Sequence, residues 1–199
     1  MLRFVRTAVA ITILSAVGLM TYGLGLYRQQ THEQSLWVNI EFNRLISAAL
    51  AKLLEDVPHA SVARVALIHA TEPTVAGAQR LAIDHANTMV PPGRTVPEYQ
   101  RNIPLSQWNE DMEAYAARRC VVHQTRQLAN AEFRERLLPL QVVYYIACPL
   151  VGANGIVYGA VFLTWDDLAN IPPPADLDAV VKQVRSVTVM IGRYYRRMA

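Results

Sequence analysis

The sequence predicts an α+β protein with one N-terminal transmembrane helix, followed by a domain whose first and last helices cover an antiparallel sheet. Three features lead to this prediction: an uncharged run near the N-terminus, two β-type runs joined by an Asn-Gly pair, and a C-terminal amphipathic helix. The 199 residues are 52% hydrophobic and 18% charged, with a mean hydropathy of +0.14. This composition excludes a disordered chain, and the length allows one sizeable domain.

The first element is the predicted transmembrane helix over residues 7–27, which contains no charged side chain. A helix rises about 1.5 Å per residue, so this run spans about 30 Å, the thickness of a bilayer core. Arg3 and Arg6 precede the run. The positive-inside rule therefore places residues 1–6 in the cytoplasm and the domain over residues 28–199 outside it.

A cleaved signal peptide is the alternative to an anchor, because Ala16-Val17-Gly18 is a small-x-small sequence. The apolar run continues to Tyr27, which is further than a signal peptide needs, so we favour an uncleaved anchor. Small or hydroxyl residues also recur along the run, and such residues let two transmembrane helices approach closely. The candidate packing positions are Ala8, Thr12, Ala16, Gly18 and Gly23. Since these residue types are common in any transmembrane helix, a plain tether is the alternative to self-association.

Residues 31–56 predict a helix that leaves the membrane and packs one face on the domain. Apolar residues recur there at helical spacing, and no Gly or Pro interrupts them. Shorter elements follow, namely strands at residues 63–70, 80–89 and 120–124 and helices at residues 106–117 and 128–138. Ser106 is the predicted N-cap of the first of these short helices. Residues 90–104 contain four prolines and are predicted to be irregular.

A β-hairpin is predicted near the C-terminus. Residues 141–149 and 156–165 are rich in Val, Ile, Tyr and Phe, and Asn154-Gly155 supplies the positive-φ residues that tight turns require. Three consecutive prolines follow the hairpin, and Asp176 is predicted to cap the last helix. The apolar stripe of this helix comprises Leu177, Val180, Val181, Val184, Val187 and Ile191.

The sequence contains no catalytic or metal-binding motif. The five histidines form no i, i+4 pair and no HExxH, and there is no Gly-rich phosphate loop, GxSxG or Ser-x-x-Lys element. Glu110 and Asp111 are predicted to lie on a solvated helix face. The net charge of +3 is dispersed and provides no basic stripe. We therefore expect a protein that is not an enzyme, has no cofactor or metal and binds no nucleic acid.

Two further groups of residues each allow two interpretations. Cys120 and Cys148 form one bridge if the domain lies outside the cytoplasm, or else are two buried thiols. Arginines in a last helical turn complement the helix dipole, whereas Tyr and Arg together suit a lipid headgroup layer. We favour a membrane-surface role for the C-terminal cluster, which comprises Arg193, Tyr194, Tyr195, Arg196 and Arg197.

Residues 31–198 resemble a GAF-like domain. The resemblance rests on the long first helix, the closing amphipathic helix, the strand that ends in Cys148-Pro149-Leu150, and the hairpin glycines Gly152, Gly155 and Gly159. It implies the α+β GAF-like fold rather than a particular ligand.

The whole layout also resembles the T-type (class III) holins of tailed phages, in which one transmembrane helix precedes an extracytoplasmic α/β domain. The similar segments are Ala147-Cys148-Pro149, Ile156-Val157-Tyr158-Gly159, Thr164-Trp165 and Ile191-Gly192-Arg193. This resemblance implies a lysis timer that oligomerises in the bacterial inner membrane and forms lesions that release an endolysin. It also implies a periplasmic domain regulated by an antiholin. The implied partners are membrane lipid, further copies of the chain and an antiholin-type protein.

The cysteines depart from that family pattern, which places the second cysteine in the closing helix, whereas the candidate partner here is Cys120. For a periplasmic domain we expect a Cys120–Cys148 disulfide. The alternative function is a membrane-anchored GAF-like sensor or protein-docking module without catalytic activity.

Overall fold

The computed structural model describes residues 41–70, 81–97, 103–104, 108–152 and 155–198. The chain divides into two compact units, Met1–Asn43 and Arg44–Ala199, and the description below concerns the second. The predicted transmembrane helix at residues 7–27 lies outside the described residues. Within the described ranges, no helix combines the length and the apolarity that crossing a bilayer requires.

The described helices and strands follow the predicted order, with bounds that differ by a few residues. In chain order they are α1 (residues 41–56), β1 (Val62–Ala70), β2 (Leu81–Met89), β3 (Ile103–Pro104), α2 (Asn109–Ala116), β4 (Val121–Gln124), α3 (Ala131–Leu137), β5 (Tyr144–Val151), β6 (Val157–Trp165) and α4 (Pro174–Met198). Short 3-10 turns follow β4 and β6, at Thr125–Gln127 and Leu168–Asn170.

The described strands form one six-stranded sheet in the order β3-β2-β1-β6-β5-β4. Each of these neighbouring pairs is antiparallel, so the predicted α+β class with an antiparallel sheet is confirmed. β3 lies within the stretch predicted to be irregular, and it pairs only with Ala82 and Ile83 at the sheet edge. An edge strand tolerates Pro104 because the missing N–H need not join a ladder.

The predicted hairpin is the pair β5 and β6, in register from Tyr144 opposite Trp165 to Val151 opposite Val157. Gly155 adopts φ +79° in the turn between them, as a tight turn requires. The residue predicted to share that role, Asn154, lies outside the described residues.

One face of the sheet is covered by the two long helices. Because strand side chains alternate between faces, Val65, Ile146 and Leu163 point to this side, where they are fully buried. α4 packs across β5 and β6. α1 lies beside α4, since residues of both helices line one groove. The prediction that the first and last helices cover one face is thus confirmed for the described part of the first helix.

The other face of the sheet is covered by α2, α3 and irregular segments. Alternate positions of β1, β5 and β6, among them Ala66, Tyr145 and Phe162, join a second buried cluster with Trp108 and Phe133. This cluster is rich in aromatic side chains, whereas the long helices contribute mainly aliphatic ones.

Two predicted helix starts are wrong. α2 begins at Asn109, with Trp108 rather than Ser106 in the N-cap position; Ser106 itself lies outside the described residues. α4 begins at Pro174, so Asp176 lies inside its first turn and does not cap it. Proline suits the first helical turn, because its missing N–H has no partner there in any case. The carboxylate of Asp176 in that turn complements the helix dipole.

Candidate functional site

The face of the sheet covered by α2 and α3 contains a cavity of about 40 Å³. Residues of β1, β5 and β6 form one wall, and residues of α3 and of the segments that flank α2 and α3 form the other. The apolar part of the lining includes Val62, Ile103, Phe133, Val142 and Phe162. Because protein cores are close-packed and such spaces are few, this cavity is the candidate binding site.

Aromatic rings fix the shape of the cavity. The indole of Trp108 meets the ring of Phe162 edge-on, with centroids 4.9 Å apart, and lies 5.3 Å from the ring of Phe133. Phe133 in turn meets Tyr145 edge-on at 6.2 Å. The two edge-on contacts are a preferred arrangement of aromatic pairs, so these rings stabilise one another in the cavity wall.

The lining also includes side chains with polar atoms, namely Arg64, Thr164, Trp108 and Tyr145. Arg64 is 7% exposed, and its Nε donates a hydrogen bond of 3.1 Å to Oγ1 of Thr88. The hydroxyl of Thr164 lies 3.2 Å from that of Ser61. The indole Nε1 of Trp108 is buried, and within the described part of the chain it has no hydrogen-bond partner.

The polar lining therefore offers hydrogen-bond donors and a positive charge. Arg64 is the one residue with a charged side chain in the described lining. A buried N–H without a partner costs about 1–3 kcal/mol, so the indole of Trp108 could donate a hydrogen bond to an acceptor atom of a ligand. The arrangement suits a small molecule that carries an acceptor group at one end.

A buried polar cluster lies next to the cavity and is centred on Asp111, which is 1% exposed. The hydroxyl of Tyr145 donates to Oδ2 of Asp111 at 3.2 Å, and that of Tyr115 donates to the same oxygen at 3.4 Å. Nε2 of His123 lies 3.1 Å from Oδ1. Tyr145 also lines the cavity, so its ring and its hydroxyl connect the two features.

The protonation of the cluster follows from burial and from Asp111. Burial, and then the nearby Asp111 carboxylate, raises the pKa of Tyr115 and of Tyr145 well above its ordinary value, so both hydroxyls remain donors. Hydrogen bonding to Asp111 raises the pKa of His123, against the opposing effect of partial burial. The cluster is thus a buried carboxylate surrounded by donors.

Among the described residues, no group of three or more His, Cys, Asp or Glu side chains is arranged to hold a metal ion. That the protein is not an enzyme and has no cofactor or metal stays a prediction.

Open grooves elsewhere on the described surface are larger than the cavity, at about 230, 400 and 500 Å³. They are lined largely by exposed side chains such as Arg118, Lys52 and Asp176. As far as the described residues show, the side chains that line them contain no buried polar atom without a partner. The aromatic-lined cavity is the better candidate for specific recognition.

The structure brings together two of the residues that the sequence singled out. Cys120 and Cys148 are joined by a disulfide. It lies on the side covered by α4, next to Arg185 and Thr188. The bond ties the segment before β4 to β5.

The remaining predicted site residues are largely outside the description. Arg193 is exposed near the end of α4, and the side chains of Tyr194, Tyr195, Arg196 and Arg197 are not described. The proposed helix-packing positions, Ala8, Thr12, Ala16, Gly18 and Gly23, lie in the part of the chain outside the described residues. Membrane-surface and helix-packing roles therefore stay predictions.

Sequence reasoning misplaced one residue and missed two others. Asp111 was expected on a solvated face, but α2 turns both Asp111 and Tyr115 inwards. Their i, i+4 spacing was the available signal. Arg64, a single charge within an otherwise apolar strand, was the signal for a polar group in the cavity wall. Trp108 gave no comparable signal.

Comparisons with known proteins support the fold. No family model matches the chain, and no curated protein matches it in sequence. The GAF domain of PixJ from Thermosynechococcus elongatus, in its blue-light-absorbing form, superposes with a TM-score of 0.59 at 12% identity, covering 79% of this chain and 89% of that one. The phycocyanobilin-bound GAF domain of a cyanobacterial phytochrome gives 0.57 at 11% identity, covering 82% and 91%.

A third similar structure is the GAF domain of a two-component sensor histidine kinase from Bacillus halodurans. Its TM-score is 0.52 at 16% identity, covering 78% of this chain and 97% of that one. The described domain thus has a GAF-like α+β fold, as the resemblance implied. None of these comparisons supports a T-type holin.

Proposed function

We propose that the protein is a GAF-like sensor module that binds a small ligand in the cavity and catalyses no reaction. The proposal rests on the buried, unpaired Nε1 of Trp108 in a cavity wall that also contains the buried Arg64. Buried polar groups in proteins are nearly always hydrogen-bonded, so a donor left open at a cavity supports a bound acceptor. The GAF-like neighbours support the proposal as well, since one comes from a sensor histidine kinase.

The proposed ligand is small. Pockets for drug-sized ligands measure about 300–1,000 Å³, whereas this cavity measures about 40 Å³. The phytochrome neighbour is bound to phycocyanobilin, a chromophore that a space of this size does not accommodate. We therefore propose a ligand of a few atoms and do not transfer the bilin to this chain.

Binding would be transmitted through the short helices. Trp108 adjoins the start of α2 and Phe133 belongs to α3, and both line the cavity. Tyr145 connects the same wall to Asp111 in α2. A ligand that moves these rings would therefore shift α2 and α3 relative to the sheet, which is a signal that a partner protein can read.

We further propose that residues 7–27 anchor the module in a bacterial inner membrane, with the domain in the periplasm. The uncharged run and the preceding Arg3 and Arg6 support this orientation. The Cys120–Cys148 disulfide supports it too, because disulfides persist in oxidising compartments. In this arrangement the C-terminal Arg and Tyr cluster would contact lipid headgroups.

The binding proposal can be tested on the full chain in detergent micelles with ¹⁵N-labelled tryptophan. Acetate, acetamide, ethylammonium and inorganic phosphate would be titrated in turn, and the Trp108 indole resonance assigned with Trp108→Phe. We expect at least one compound to shift this resonance saturably. Trp165 is the matched control, because its Nε1 is also buried and unpaired within the described chain. Its side chain lies on the face covered by α1 and α4, called the helix-covered face below. If no compound shifts Trp108 alone, the sensor proposal is wrong.

A T-type holin is the second candidate, because the small residues Ala8, Thr12 and Ala16 in the uncharged run favour association of transmembrane helices. The test is to induce the full chain in a bacterium and to follow membrane potential and cell density. Two matched variants would accompany it, one with residues 28–199 on an unrelated anchor and one with Ala8, Thr12 and Ala16 changed to Leu.

A sudden collapse of the potential after a reproducible delay, seen only with the native anchor, would support lesion formation and an antiholin as regulatory partner. An intact potential in all three strains would contradict the holin and leave the anchored sensor.

A further inference from the structure

We infer that the cavity binds a small neutral molecule with a mainly hydrocarbon surface and at most one hydrogen-bond acceptor, of the size and polarity of acetone. This inference rests on the proposed sensor function and names the ligand class of that same site. It follows from the volume of the cavity, from the apolar character of its lining and from the partners that its polar side chains already have.

The volume limits the ligand to a few atoms. A cavity needs about 10–15 Å³ to hold one water molecule, and this one has about 40 Å³. The space corresponds to about three or four non-hydrogen atoms. Acetone, acetamide and acetate each have four and are nearly the same in shape, so the volume admits all three. The surface of the cavity has to distinguish between them.

Most of that surface is hydrocarbon or aromatic. The aliphatic side chains of Val62, Ile103 and Val142 line the space together with the rings of Phe133 and Phe162. Each of these residues is 9% exposed or less. A polar group that enters such surroundings loses its hydration without gaining a hydrogen bond, and the cost is far larger for an ion than for a neutral group. The lining therefore selects against ions and against molecules with several polar groups.

Two of the polar side chains in the lining are already held within the protein. The Nε of Arg64 donates to Oγ1 of Thr88 at 3.1 Å, and Arg64 has a further interaction besides this one. The hydroxyl of Thr164 lies 3.2 Å from that of Ser61. A guanidinium that has its partners inside the fold gives no reason for an anionic ligand, although it still disfavours a cationic one.

The other two polar side chains limit the ligand to one acceptor. The hydroxyl of Tyr145 donates to Oδ2 of Asp111 at 3.2 Å. Trp108 is the one residue of the described lining with a buried side-chain polar atom that has no hydrogen-bond partner among the described residues. This single N–H sets an upper limit of one acceptor on the ligand, because a second polar group would find no open counterpart. The carbonyl oxygen of a ketone meets that limit.

The test compares acetone, acetamide and acetate on the full chain in detergent micelles with ¹³C-labelled isoleucine δ-methyl groups. Ile103 lines the cavity, and its resonance would be assigned with Ile103→Val. Ile146 is the matched control, because it is fully buried on the opposite face of the sheet. We expect acetone to shift the Ile103 resonance saturably and to bind at least tenfold more tightly than acetamide. Acetamide should in turn bind more tightly than acetate, and Ile146 should not respond.

The outcomes separate this inference from the proposed function. If acetate, ethylammonium or phosphate binds as tightly as acetone, or if acetamide does, the inference is wrong while the sensor proposal stands. If neither acetone nor any of the other four compounds binds, the sensor proposal is wrong as well.

Filling the cavity locates the site. Val142→Ile adds one carbon atom to the lining, so we expect the affinity for acetone to fall at least fivefold. Val180→Ile is the matched control, because Val180 is also 8% exposed but lies on α4, away from the cavity, and should leave the affinity unchanged. Val62→Ile is a second filling variant, with the same expected loss. An unchanged affinity for acetone in either folded filling variant would overturn the inference.

Discussion

The two faces of the sheet differ in the side chains that they bury. The face under α1 and α4 is mainly aliphatic, with Val65, Ile146, Leu163 and Val184 fully buried, and it contains the disulfide. The face under α2 and α3 contains a cavity, a buried guanidinium and a buried carboxylate. Burying a charged side chain costs stability, and the buried Arg64 and Asp111 both lie on this face. The helix-covered face therefore supports the fold, and the cavity face supports binding.

This difference also explains the lengths of the covering helices. α4 runs over 25 residues and buries one continuous apolar stripe, whereas α2 and α3 have eight and seven residues. Short helices have little stability of their own and depend on a few tertiary contacts. They can therefore move when those contacts change, and the long helix supplies the fixed frame.

The largest loss of stability is expected from a substitution of Gly159 in β6. The backbone of a strand supports both faces of the sheet, so this change affects both. A Cβ at this position would lie 2.0 Å from the carbonyl oxygen of Ala66 in β1, and φ is +157°. Gly159→Ala must therefore separate β6 from β1, and we expect a loss of about 3 kcal/mol or more in the free energy of unfolding, measured by urea denaturation.

Gly192→Ala is the matched control for this substitution. A Cβ there would lie 3.5 Å from the carbonyl oxygen of Val151, which is an ordinary contact. Alanine is also favoured over glycine inside a helix by about 1 kcal/mol. A Gly159→Ala protein as stable as the Gly192→Ala protein would contradict the close approach of the two strands.

The disulfide provides the next test, because it belongs to the helix-covered face. Its two cysteines are 28 residues apart, and a crosslink that closes a loop of this length stabilises a protein by about 3–4 kcal/mol in the chain-entropy model. Reductant should lower the urea midpoint of the full chain accordingly. It should have no effect on a Cys120→Ala, Cys148→Ala double variant.

The same experiment distinguishes the two faces if the Trp108 indole resonance is recorded with the titrated compounds below the unfolding transition. We expect reduction to lower stability and to leave the response of this resonance unchanged, because the bond lies on the opposite side of the sheet. A response lost together with the disulfide would mean that the two faces are not independent.

Patterns of local sequence predicted the helix-covered face better than the cavity face. The period of the stripe from Leu177 to Ile191 and the Asn154-Gly155 turn are local signals, and they yielded α4 and the β5–β6 hairpin. The cavity depends on residues far apart in sequence, such as Arg64, Trp108 and Tyr145. No periodicity relates them, since only the strand order brings them together.

The error at Asp111 has the same origin. Its charge suggested a solvated position, and only the tertiary fold brings the hydroxyl of Tyr145 and the imidazole of His123 beside it. Charged residues with distant partners are the positions at which local reasoning fails, and here they mark the candidate site.

The smallest expected effect belongs to the cavity face and concerns pH. The pKa of His123 is raised by Asp111, so the folded state holds the proton more tightly than the unfolded chain. The stabilisation is fully present below the unfolded pKa of about 6.5. It is lost as pH rises through the folded-state pKa.

His123→Gln keeps an N–H donor near Asp111 but does not titrate. The free energy of unfolding of the native chain minus that of this variant should therefore fall between acidic and alkaline pH. Subtracting the variant removes the contribution of the other histidines. A difference that is constant or rises with pH would show that the His123–Asp111 contact does not make the folded state bind the proton more tightly than the unfolded chain.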